Sequence, residues 1–132
     1  MNINIRLRTD CHHLFENDKY TLLLNKNAEY LWFILVPNTE QEDLLDLDKS
    51  HRDELMDVCS KLSGYIKSNS TFTKTNFGAI GNVVSQMHLH IVGRSQNDPL
   101  FPAVVWGNTK TSKDYTTVQV ESLRKDIEDL LK

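Results

Sequence analysis

Two kinds of apolar pattern follow one another along this chain. From Tyr20 to Leu24 and from Leu31 to Val36 nearly every residue is aliphatic or aromatic, and the polar stretch NKNAE lies between the two runs. Two β-rich runs joined by a polar turn predict an antiparallel hairpin, and Pro37 ends its second strand. Beyond PNTEQEDLLDLDKS the period changes. Leu55, Cys59, Leu62 and Ile66 recur at helical spacing and give one buried face. Ser50 is the expected N-cap, with Asp53 in the first turn, and the helix should fade near Ser68 to Ser70.

The pattern then reverts to strands. Thr71 to Ala79 reads as one, and Val83 to Gly93 as another, with Gly78 and Gly81 between them suggesting a tight turn or a close backbone approach to a ligand. A proline-punctuated loop, SQNDPLFPAVVWGNTKTSKD, follows. A final helix starts near Thr117, with Val120, Leu123, Ile127 and Leu130 on one face. The first seventeen residues are ambiguous: INIRLR alternates, and CHHLFEN suits a short strand. Strands, helix, strands, helix, with hairpin-like connections, favour an α+β fold with a mainly antiparallel sheet.

Composition narrows the class. The 132 residues, 39% hydrophobic and 25% charged, suit a single globular domain over 1–132. A net charge of -3 argues against general nucleic-acid coating, which needs a broad excess of Lys and Arg. It leaves room for a small anionic ligand in a locally positive pocket. Two cysteines, Cys11 and Cys59, make no metal or disulfide framework. The first residues hold no apolar signal segment, and no apolar run approaches the roughly 18 residues that span a bilayer. A cytoplasmic protein without a membrane partner is expected.

The candidate chemistry sits in SQMHLHIVGR. On a strand, Met87, Leu89 and Ile91 share one face, which must be the core side, and Gln86, His88 and His90 share the other. Neighbours on that face stand about 6.6 Å apart, so the row could bracket a phosphate and the bonds beside it. Three readings fit the spacing. The histidines could lie on a solvated or partly buried sheet face. His-x-His could hold zinc, with His12, His13 or a distant carboxylate as third ligand. An imidazole could also act as a nucleophile through a covalent histidine intermediate. Spacing does not choose between the last two.

A resemblance does. QMHLHIV resembles the signature of the histidine triad family, His-φ-His-φ-His-φ-φ with φ apolar, with Gln86 in place of the first histidine. TNFGAIGNVVSQMHLHIVGR resembles the family's segment of an asparagine, spaced glycines and the triad strand, and LWFILVPNTEQEDLLDL its second hairpin strand. DPLFPAVVWG is similar to the tail of one bacterial branch. The resemblance implies an antiparallel five-stranded sheet with two helices, a homodimer and no required metal or other cofactor. It also implies a hydrolase or nucleotidyl transferase acting at the α-phosphate of a nucleotide. His88 would be the nucleophile and His90 a phosphate contact. Asn76 would orient phosphate or nucleoside, Asn82 would lie near the phosphate or leaving group, and Asn25 falls near an acidic residue that binds ribose in some members.

Neutral imidazole is a competent nucleophile near pH 7, given an unperturbed pKa of about 6.5, and its other nitrogen needs an acceptor such as a backbone carbonyl to fix the tautomer. Donors in place around the phosphoryl oxygens, from Asn76, Asn82, Gln86 and the backbone near Gly81, would stabilise the developing charge. Gln86 cannot titrate, so hydrogen bonding to a phosphate oxygen or the leaving group is its expected part. Arg94 reads as a surface cation at the strand's end, and His12, His13 and His51 as ordinary residues. Trp106 suits a hydrophobic anchor or a nucleobase wall equally.

The reading is an enzyme acting on dinucleoside polyphosphates or nucleoside phosphoramidates through a nucleotidyl-His88 intermediate. The alternatives are a nucleotide-binding module without turnover and, more distantly, a zinc-binding protein using His88 and His90.

Overall fold

The structure, a computed structural model, describes residues 1–109 and 113–132. Residues 110–112 of the expected loop over 95–114 lie outside the described residues.

The hairpin forms where the apolar runs place it. Strand β2 spans Tyr20–Asn25 and β3 spans Leu31–Pro37, antiparallel, with Leu22 opposite Leu35. Strand β1, Cys11–Glu16, pairs with the outer side of β2. Strand β5, Leu89–Arg94, pairs with β3, and β4, Lys74–Gly78, closes the far edge. The result is a five-stranded antiparallel sheet in the order β1-β2-β3-β5-β4, the α+β architecture expected.

Two long helices cover one face. Helix α2, Lys49–Ser68, buries Leu55, Cys59, Leu62 and Ile66, and packs on β3, β5 and β4. Its cap is Asp48 rather than Ser50: the Asp48 carboxylate accepts from the His51 N–H at 2.8 Å. A carboxylate there both satisfies an orphan donor and meets the positive end of the helix. Helix α3, Thr117–Leu131, packs against β1 and starts in a capping box of Thr116 and Gln119. Between these helices and the sheet lies the larger core, including Leu22, Leu24, Phe33, Leu35, Leu89 and Ile91.

The opposite face is covered by segments with little regular structure. The N-terminal INIRLR does not continue its alternation as a strand. Ile5–Asp10 is a short helix, α1, because the Asn4 side chain accepts from the Arg6 N–H at 2.9 Å and caps it. Leu7 is its buried residue. It joins Trp32, Ile34, Val84, Val92 and Val105 in a second, smaller core.

The strand expected over Val83–Gly93 is shorter. Pairing begins at Leu89, since β4 ends at Gly78 and β3 pairs with β5 only as far as Leu35. Residues 83–88 therefore run on without a neighbouring strand. Among the described residues no helix is long and apolar enough to cross a membrane.

Candidate active site

The sheet face that lacks long helices holds a cavity of about 520 Å³, within the size range of small-molecule sites. Its lining includes His88, His90, Asn25, Asn82, Trp32 and Trp106. The alternation assigned to the histidine row holds: Met87, Leu89 and Ile91 are in the helix-side core, while His90 faces the Trp32 side of the sheet. His88 and His90 are each 7% exposed, and their ring centroids are 4.9 Å apart.

Hydrogen bonds fix both rings. His88 Nδ1 lies 2.7 Å from the Gln86 backbone carbonyl. A carbonyl only accepts, so Nδ1 carries the proton and the neutral ring keeps its lone pair on Nε2. His90 has the opposite tautomer. Trp32 Nε1–H, which only donates, reaches His90 Nδ1 at 3.0 Å, so neutral His90 carries its proton on Nε2. Burial lowers the His90 pKa to about 4, with the neighbouring His88 adding to the effect, so this ring stays neutral at pH 7. Two adjacent imidazoles thus offer different functions: one a lone pair, the other an N–H donor.

The walls explain two glycines. The Trp106 ring lies over Gly78, with Cη2 3.4 Å from where a Cβ would stand. Gly81 has φ of 68°, the left-handed region that glycine enters without strain. The buried Trp106 indole N–H has no hydrogen-bond partner among the described residues. Cys11 also lines the cavity, but burial and then the Asp10 charge push its thiol up to about 12, which leaves it protonated and unreactive.

A family model described as HIT domain matches residues 6–97. The chain belongs to the HIT domain family. Solved structures agree across nearly the whole chain. A histidine triad protein from Marinobacter aquaeolei VT8 is 32% identical over 98% of this chain and 95% of that one, with a TM-score of 0.88. A histidine triad protein from Bradyrhizobium japonicum is 27% identical over 99% and 98%, also with a TM-score of 0.88. A hypothetical histidine triad nucleotide-binding protein from Sulfolobus tokodaii strain7 is 20% identical over 96% and 87%, with a TM-score of 0.60, a likeness of fold. No match is found among curated proteins.

Within this HIT domain, two expected site residues stand outside the cavity lining. Gln86 is engaged at both ends of its amide: Oε1 accepts from the Asn4 N–H at 2.8 Å, and Nε2 donates to the Asn2 carbonyl at 2.9 Å. Its side chain thus holds the N-terminal segment, while its backbone carbonyl holds His88. Asn76 sits on β4 opposite Val92, and its Oδ1 accepts from Arg94 at 2.9 Å.

Arg94 is not a surface cation. It is 2% exposed, and its guanidinium donates to both Asp98 oxygens, at 2.8 and 3.0 Å, between the rings of Tyr30 and Phe101. A cation buried this deeply needs such a bidentate partner. Burial pushes the Asp98 carboxyl up, but Arg94 and the N–H groups of Ser95, Phe101 and Leu100 outweigh it and hold it below its ordinary range.

Among the described residues, no three His, Cys, Asp or Glu side chains gather to hold a metal ion. His12 and His13 face Asp114 and Glu16, at 2.7 and 3.1 Å, rather than the His88 and His90 pair. Arg6 is a charged lining residue that the sequence pattern did not mark. Its signal would have been a cation one turn before a cavity-wall strand, which is common on any surface helix.

Proposed function

We propose that this protein is a nucleotide phosphohydrolase or nucleotidyl transferase that works through a covalent nucleotidyl-histidine on His88. Dinucleoside polyphosphates and nucleoside phosphoramidates are its substrate classes. The observation that carries the reading is the hydrogen bond from His88 Nδ1 to the Gln86 carbonyl, which leaves the Nε2 lone pair as nucleophile.

In the first step His88 Nε2 forms a bond to the α-phosphorus. The bond from phosphorus to the leaving oxygen or nitrogen breaks, and its electron pair departs with the leaving group. A leaving amine also takes up a proton from solvent water, and the proton that the attacking water gives up in the second step returns to solvent. The Nδ1 proton stays on the ring, and its contact with the Gln86 carbonyl stabilises the positive charge that the ring acquires. In the second step water or another acceptor attacks phosphorus, loses a proton and displaces the imidazole. His90 Nε2–H donates to a phosphoryl oxygen throughout. Asn82 and Asn25, both on the cavity lining, supply contacts to phosphate and to ribose. Asn25 Oδ1 already accepts from the Asn27 N–H at 2.9 Å, so its amide nitrogen is the part turned to such use. Asn76 has no contact with phosphate in this mechanism, its Oδ1 being engaged by Arg94. No contact from the Gln86 side chain to phosphate is part of this mechanism.

Rapid quenching during turnover, followed by intact mass, tests the proposal. The native protein should carry one acid-labile nucleotidyl group, and His88→Ala should carry none. The substitution should cost roughly a thousandfold or more in kcat, since it removes the bond-forming atom. An adduct that persists in His88→Ala assigns the nucleophile elsewhere. One feature favours a second reading: the residue at the first triad position cannot titrate and is committed to the N-terminal segment. Tight nucleotide binding with neither adduct nor turnover would establish that binding-module reading instead.

A further inference from the structure

The N-terminal segment reaches the cavity by a specific route. Gln86 bonds to the backbone of Asn2 and Asn4, two residues apart, much as a neighbouring strand would. Asn4 then caps α1, and Leu7 is buried in the smaller core beside Trp32 and Val84. Held at its start and in its middle, α1 presents Arg6 on the cavity lining.

Among the described residues, Arg6 is the only Lys or Arg on that lining, and it makes no ion pair or side-chain hydrogen bond with any of them. Asp10, one turn later, is the only acid there among the described residues. Among the described residues, the rest of the lining holds no carboxylate, Lys or Arg. A cleavage at the α-phosphate of a dinucleoside polyphosphate expels a highly charged nucleoside polyphosphate, whereas cleavage of a phosphoramidate expels a neutral amine. One unpaired guanidinium at the rim would distinguish the two.

We propose that Arg6 binds the phosphates beyond the scissile bond and so sets a preference for charged leaving groups, with Gln86 as the positioning residue that seats Arg6. The proposal rests on the hydrolase reading above and deepens it. It also gives a glutamine at the first triad position a task suited to an amide: one acceptor and one donor, held on two backbone groups.

The test compares kcat/KM for diadenosine tetraphosphate and for an adenosine phosphoramidate of a neutral alkylamine. In Arg6→Gln the tetraphosphate value should fall roughly tenfold to a hundredfold, and the phosphoramidate value by about threefold at most. Arg6→Lys should recover much of the loss. Gln86→Leu should shift the ratio the same way, and the double variant should add little to either single change, since both act through one contact. Equal falls on both substrates, or an unmoved ratio in Arg6→Gln, overturn the role of Arg6. A ratio unmoved in Gln86→Leu overturns the positioning role.

If the native protein turns over neither substrate, the hydrolase reading fails, and calorimetric titration with ADP and AMP decides on Arg6. A preference for ADP that Arg6→Gln abolishes supports the phosphate contact; one that survives, or no preference in the native protein, overturns it.

Discussion

His90 keeps its proton on Nε2 because Trp32 can only donate to Nδ1, and it stays neutral because burial opposes its charge. That state has a cost in acid. The unfolded chain's histidine titrates near 6.5, while the folded ring does so near 4. Between these values the unfolded state binds the extra proton. The stabilisation is therefore complete above about 6.5 and is lost as pH falls toward 4, on the order of 3 kcal/mol in all. Urea midpoints at pH 7 and pH 4.5 should differ more for the native protein than for His90→Asn; equal differences would show that His90 does not carry this acid sensitivity. The roles of single residues were only partly legible in the sequence. The histidine row and its apolar partners followed from period two. The side-chain engagement of Gln86 did not, because its partner Asn4 lies 82 residues away in sequence. Arg94 misled for a different reason: a cation at a strand end is normally solvated, and only the fold turns Asp98, four residues on, and Asn76, on the neighbouring strand, toward its guanidinium.

At the scale of elements, the hairpin and both long helices were readable because each has a sustained apolar period. The short α1 was not, since a capped six-residue helix leaves too little pattern to separate from alternation. The start of β5 was also unreadable, because extended backbone and paired backbone have the same sequence signature. Gly93 sets the distance between two elements. A Cβ on Gly93 would stand 2.8 Å from Ile66 Cγ2 on α2 and 3.0 Å from the Phe72 ring. Helix α2 can lie this close to β5 only because that position has no side chain. Gly93→Ala should destabilise by about 1–3 kcal/mol, the usual cost of overpacking. Chemical denaturation measures it, and an unchanged midpoint would mean that the helix shifts freely on the sheet.

Across the whole molecule the two faces of the sheet are finished differently. One is closed by α2 and α3 over the larger core. The other is closed by α1 and two irregular stretches, 79–88 and 95–109, which carry His88 and Trp106. Backbone without ladder or helix opens at lower free energy than backbone within them. In native-state hydrogen exchange, the amides of Leu22, Phe33 and Ile91 should therefore outlast those of Gly81 to His88 by a wide margin; comparable protection would mean that the whole chain opens as one unit. The Arg94–Asp98 pair ties the second irregular stretch to the end of β5, so part of this covering is fastened at one buried point. The division has a consequence for how such a protein can change over generations. On the proposed reading, Arg6, Asn82 and Trp106 lie on segments outside the helix-covered core, so substitutions there would alter what the cavity accepts while leaving the same scaffold.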